Sequence, residues 1–150
     1  MRTVGIIAEY NPFHNGHAYQ IRKAKELTNA DYCVVVMSGD FVQRGAPALM
    51  DKYLRTECAL RNGADLILEL PVCFALSSAE TFARGAITLL DRLGIVDAVC
   101  FGSECGDINV LRDFAKELLC ETPVFKETLA REMREGHTYC LLYTSPSPRD

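Results

Sequence analysis

Short apolar runs punctuate the chain, and helix-patterned stretches separate them. The first run, Val4-Gly5-Ile6-Ile7-Ala8, lies in a predicted strand over Thr3–Ala8. From Asn15 or Gly16 to about Asn29, the residues Ala18, Ile21, Ala24, Lys25 and Leu27 recur at three- and four-residue steps, the spacing of a helix face. Asp31–Met37 is a continuous β-branched run, as expected of a strand buried on both faces. Ser38-Gly39-Asp40 reads as a turn, followed by a loop to Ala48. Asp51 is placed to cap a helix reaching about Asn62, where Gly63 ends it. Asp65–Leu70 is a third strand, stopped by Pro71. Ser77 or Ser78 opens a helix that ends before Gly94, and Val96–Phe101 is a fourth strand. Asp107 opens a helix to about Leu119, and Thr122–His137 adds helix rich in Glu and Arg.

Strands alternating with helices imply right-handed crossovers and an α/β fold: a Rossmann-like parallel sheet with helices on both faces. Ligands of such sheets bind beyond the carboxyl ends of the strands. Tyr10–His17, Ser38–Gly45 and Gly102–Glu104 are therefore expected around one crevice. The predicted organisation is an α/β domain over 1–120, the start of a truncated helical region over 121–139, and a tail over 140–150.

Composition narrows this modestly. Of 150 residues, 49% are apolar, enough for a real core, and the net charge of −4 offers no basic nucleic-acid surface. The segment Met1-Arg2-Thr3 leads into an apolar run too short for a signal sequence or a membrane span. Cysteines at 33, 58, 73, 100, 105, 120 and 140 form no Cys-x-x-Cys pair. Most sit in apolar stretches, so buried free thiols and a cytoplasmic location are expected.

The most informative residues are His14-Asn15-Gly16-His17, at the first strand-to-helix turn. A helix N-terminus offers free N–H groups and a positive dipole end, which attract phosphate. Gly16 admits a bulky anion, and His14 and His17, one turn apart, can both face it. Imidazole N–H groups can donate to phosphate oxygens as charge builds in a transition state. The rival metal reading requires a third protein ligand, for which only Glu9 or Asp40 is at hand. A dinucleotide fingerprint, Gly-x-Gly-x-x-Gly, is absent from this turn.

The motif resembles the first signature of the nucleotidyltransferase superfamily, whose His-x-Gly-His binds ATP for attack at the α-phosphorus, as in class I aminoacyl-tRNA synthetases. The longer string Ala8-Glu9-Tyr10-Asn11-Pro12-Phe13-His14-Asn15-Gly16-His17 is similar to the bacterial tRNA(Met) cytidine acetate ligase family. So are Met37–Gly45, Ala64–Pro71, Phe82-Ala83-Arg84-Gly85 and Phe101-Gly102-Ser103-Glu104. The resemblance runs from Met1 to about Tyr139. It implies an ATP site formed by Ile7, Ala8, Glu9, Tyr10, Asn11, Pro12, Phe13, His14, Asn15, Gly16, His17, Ala18, Tyr19 and Gln20, with Gly102 as a further contact. His14 and His17 would be catalytic, and Mg2+ would accompany ATP. It further implies that acetate is activated to acetyl-adenylate, then passed to N4 of the wobble cytidine of elongator tRNA(Met). Two other readings stand beside it. One is a superfamily adenylyltransferase acting on a mononucleotide or phosphopantetheine, although those often carry Phe-Asp-Pro where this chain has Tyr10-Asn11-Pro12. The other is a non-enzymatic nucleotide-binding module.

Other charged and polar residues carry weaker expectations. Arg44 suits either a phosphate grip or a solvated loop. Ser38 suits the turn, and Asp40 suits either the turn or the pocket. Lys52 and Arg55 are expected on a solvated face. Glu69 needs a partner such as Arg84. Under the resemblance Ser103 and Glu104 are expected to flank the adenine or ribose, and His137 is expected at the surface. Cys140–Asp150 back-translates to a transposon-type sequencing adapter read in frame, against the plainer reading of a Pro/Ser linker. On the adapter reading the protein continues past Tyr139, and the 150-residue chain is expected to be inactive, or nearly so, on tRNA.

Overall fold

Strand β1 (Thr3–Ala8) occupies an inner position because its neighbours on both sides are parallel strands. The computed structural model describes residues 1–43, 45–103 and 105–120. The expectations for Arg44, Glu104, 121–139, His137 and 140–150 lie outside the described residues. Helix α1 (Asn15–Thr28) leads to β2 (Tyr32–Ser38), helix α2 (Lys52–Arg61) to β3 (Leu66–Leu70), and α3 (Val72–Ala75) with α4 (Ala79–Arg92) to β4 (Ala98–Val99). The sheet order is β3-β2-β1-β4, all parallel, with β1 pairing β2 from Thr3↔Tyr32 to Ala8↔Met37. The chain moves outward from β1 to β3, then returns across the sheet through α4 to β4. That reversal puts the switch point at β1.

The alternation of side chains along β2 separates two cores. Cys33, Val35 and Met37 join Val4, Ile6, Ile21, Ala24 and Ala59 under α1 and α2. Val34 and Val36 join Leu70, Ala75, Ala86 and Leu90 under α3 and α4. Helices on both faces, a parallel sheet and a β2 buried along nearly its whole length all match the sequence pattern. Helix α4 lies close because Gly85 has no Cβ; one there would sit 2.5 Å from the Phe74 ring. The chain divides into two compact units, Met1–Gly102 and a second that begins at Ser103 and holds α5 (Ile108–Cys120).

Several expectations need correction. The fourth strand is two residues long rather than six, since only Val4↔Ala98 and Gly5↔Val99 align with β1. Leu27, placed on the buried face of α1, is 79% exposed, whereas Ile21 and Ala24 are buried. Glu69 is half exposed and pairs with Lys52, 2.8 Å away, rather than with Arg84, because α2 lies beside β3 in that direction. Among the described cysteines only Cys33 is buried; Cys73 and Cys105 are exposed. Arg55 is not on a solvated face at all: it is completely buried. Among the described residues no helix is long and apolar enough to cross a membrane.

Candidate nucleotide site

A cleft of about 460 Å³ opens at the carboxyl end of β1. Its walls are Ile7 and Ala8 of the strand, Glu9–Pro12 of the following loop, His14, His17 and Gln20 of α1, and Val42. Of the other residues expected to hold a nucleotide, Phe13 packs edge-on against Tyr10 at 4.9 Å. Asn15, Gly16, Ala18 and Tyr19 lie on the first turns of α1 but not in the cleft wall. Gly102 is exposed beyond β4 and does not line the cleft.

His14 caps α1 with extended backbone dihedrals. Its Nδ1 accepts from the Gly16 N–H at 3.1 Å, and His17 Nδ1 accepts from the His14 N–H at 3.2 Å. This is a capping box built from two imidazoles. It stacks the rings 3.7 Å apart at 24°. With both Nδ1 atoms accepting, each neutral ring carries its proton on Nε2, so each has one N–H to offer a ligand. The same bonds change the expected anion site. The Gly16 amide is taken by His14, and the His17 and Ala18 amides go to the His14 carbonyl at 2.9 and 3.2 Å. The helix end thus presents imidazoles backed by its dipole, in place of a set of free amides. Burial, and then the neighbouring His14, hold the His17 pKa below the ordinary histidine value.

The loop preceding α1 is built around Tyr10. Its φ of 49° is unusual for an aromatic residue. Its ring is 1% exposed and lies 4.8 Å from the His17 ring. Burial raises the Tyr10 pKa, and its hydroxyl has no hydrogen-bond partner among the described residues. The ring is thus a packing element rather than an acid. Glu9 Oε1 accepts from the Gln43 N–H at 2.7 Å, and Asn11 Oδ1 accepts from the Leu49 N–H at 2.7 Å. Two motif side chains therefore hold the segment between β2 and α2 against the cleft, where a Phe41↔Pro47 bridge folds it back on itself. Ser38 is buried at the end of β2, and Asp40 sits 3.7 Å from Lys52. Among the described residues no three His, Cys, Asp or Glu side chains converge as metal ligands.

Val42 lies in the Ser38–Gly45 loop expected at the crevice, whereas the two anchoring bonds carry no sequence signal and Arg55 departs from its expected solvated face. The available signal for Arg55 was its spacing: Arg55 and Ala59, four residues apart, form the buried stripe of α2. An arginine in the core-facing row of a helix is a marked position.

A parallel sheet with a histidine capping box at the first strand–helix turn, beside a cleft at the switch point, is the architecture of a nucleotide-handling α/β protein. The chain belongs to the HIGH Nucleotidyl Transferase family, whose model matches residues 1–145. It is 54% identical over 139 residues to the tRNA(Met) cytidine acetate ligase of Caldicellulosiruptor bescii, covering 93% of this chain and 34% of that protein. It is 53% identical over 136 residues to the protein of the same name from Clostridium perfringens strain SM101, covering 91% of this chain and 34% of that one. Among solved structures, Thermotoga maritima TmcAL bound with alpha-thio ATP superposes with a TM-score of 0.84 at 47% identity, covering 93% of this chain and 34% of that one. The chain spans about a third of the length of these relatives.

Proposed function

We propose that this chain supplies the ATP site of a tRNA(Met) cytidine acetate ligase. The carrying observation is the pair of stacked imidazoles, each with Nδ1 held by a backbone amide, in the wall of a cleft at the carboxyl end of β1. Its 460 Å³ falls within the range of small-ligand clefts. The relatives' names and the alpha-thio ATP complex support the same reading.

In the proposed reaction a carboxylate oxygen of acetate attacks the α-phosphorus of ATP. The bond from the α-phosphorus to the bridging oxygen breaks, and pyrophosphate leaves. Acetate is already an anion, so no base is required; positioning and charge neutralisation remain. The Nε2–H groups of His14 and His17 would donate to the α-phosphate oxygens as negative charge accumulates there. N4 of the wobble cytidine of elongator tRNA(Met) then attacks the acetyl carbonyl, AMP departs, and N4 releases one proton to solvent. Among the described residues Glu9 is the one carboxylate in the cleft wall, and the Gln43 amide already engages it. Glu9 would be the cleft residue available to a magnesium ion accompanying ATP, and that ion would add to the neutralisation of phosphate charge. The reading places the protein in the cytoplasm, where tRNA is modified and thiols stay reduced.

Titration of the 150-residue chain with ATP tests the site: binding is expected to saturate and to weaken in His14→Ala and His17→Ala. ATP–pyrophosphate exchange tests the reaction in the chain extended to the length of its relatives, with acetate, nicotinate mononucleotide and phosphopantetheine compared as acceptors. Acetate-dependent exchange should fall by at least ~10²-fold in each histidine variant. Exchange supported only by another acceptor would instead indicate an adenylyltransferase, and ATP binding without exchange would indicate a binding module.

A further inference from the structure

Arg55 has no part in the chemistry above, yet it makes more side-chain hydrogen bonds than either cleft histidine. Its Nη1 donates to the carbonyls of Glu9, at 2.7 Å, and Ser38, at 3.0 Å; its Nε donates to Met50 at 3.0 Å and its Nη2 to Gly39. These carbonyls belong to the end of β1, the end of β2 and the last turn before α2. No carboxylate lies within 4.0 Å of the guanidinium among the described residues, though Asp40, Asp51, Glu9 and Glu69 surround it at longer range. A fully buried cation is costly, and the fixed fork of arginine offsets that cost only where carbonyls meet it at the right angles.

The Glu9 carbonyl belongs to the peptide that leads into Tyr10, whose left-handed backbone persists only if its surroundings hold it. Tyr10 in turn seats the His17 ring. Met50 and Gly39 close the two ends of the segment that carries Val42 to the cleft wall. We propose that Arg55 is a positioning residue for the nucleotide cleft: it orients the Glu9–Tyr10 peptide, and through Tyr10 it fixes His17. The proposal rests on the assignment of the cleft to ATP, but its first consequence needs no ligand.

The test compares the wild-type chain with Arg55→Lys, which keeps the charge but cannot span the three segments. Imidazole NMR signals of His17 should shift, and its pKa should rise toward the ordinary value, in Arg55→Lys without ATP. ATP affinity should drop roughly tenfold or more, the scale of one hydrogen bond lost to a charged phosphate. In the wild type, the Arg55 guanidinium signals should move when ATP is added, which provides a readout even where the variant fails to fold. An unchanged His17 signal in folded Arg55→Lys would overturn the proposal. So would Arg55 signals indifferent to saturating ATP in a wild type that binds it. Wild-type chain that does not bind ATP would refute the nucleotide reading instead, while the ligand-free His17 comparison would still decide the role of Arg55.

Discussion

Gly16→Ala separates the stability of the histidine box from its use. A methyl group at Gly16 would stand 2.9 Å from His14 Cε1 and 3.0 Å from its Nδ1, closer than an unbonded ring tolerates. The His14 ring must swing away, losing its 3.1 Å bond from the Gly16 amide and its stack on His17. Loss of a side-chain cap costs about 1 kcal/mol. Replacing glycine by alanine within a helix returns up to about 1 kcal/mol. The two effects nearly cancel, so a urea titration should find stability within about 1 kcal/mol of wild type. Binding has no such compensation. The displaced His14 ring is one imidazole donor to a phosphate, which contributes ~1.5–3 kcal/mol, so ATP affinity, measured by calorimetric titration, should fall ~10- to 100-fold. Undiminished ATP affinity in folded Gly16→Ala would refute the role given to the His14 ring. A stability loss above about 3 kcal/mol would refute the compensation argument.

Four further outcomes follow from the structure. The lowered pKa of His17 means that the unfolded chain binds a proton more readily. Its contribution to stability is therefore complete above pH ~6.5 and is lost as pH falls from there through the lowered folded value; unfolding titrations across pH 5 to 8 of wild type and His17→Gln check the sign. A bound phosphate would raise that pKa again, so ATP binding should take up a proton, read calorimetrically in buffers of different ionisation enthalpy. Tyr10→Phe keeps the ring that seats His17 and removes a buried hydroxyl without a partner among the described residues; ATP affinity should hold, and stability should be unchanged or higher by up to ~1–3 kcal/mol. Leu90→Ala empties a site 1% exposed, facing Gly5 of β1, and thermal unfolding should report a loss of ~2–5 kcal/mol.

Much of the fold is legible in the chain because its signals are local. Asp51 caps α2 through its own carboxylate and the Leu54 amide three residues on. Ser78 does the same for α4 through the Thr81 amide, and Asn29 ends α1 in a left-handed turn. The histidine box is equally local: His14, Gly16 and His17 make their bonds within one turn of helix. Residues a few positions apart meet whatever the rest of the chain does, so their spacing already determines the outcome. Where partners were distant, the pattern misled. Glu69 meets Lys52 instead of Arg84 because the seating of α2 beside β3 decides the direction. Val96–Phe101 has strand composition, but only two of its residues align with the sheet edge.

Periodicity, caps and the His14–His17 spacing by themselves determined an alternating α/β chain with a phosphate-seeking turn after its first strand. Tertiary structure alone decided the order β3-β2-β1-β4 and the burial of Arg55. The physical reason is plainest for Arg55. A guanidinium leaves water only when several carbonyls are already in place to receive it, and here they come from residues 5 to 46 positions away along the chain. No local pattern encodes that meeting; the packing of α2 across the ends of β1 and β2 creates it.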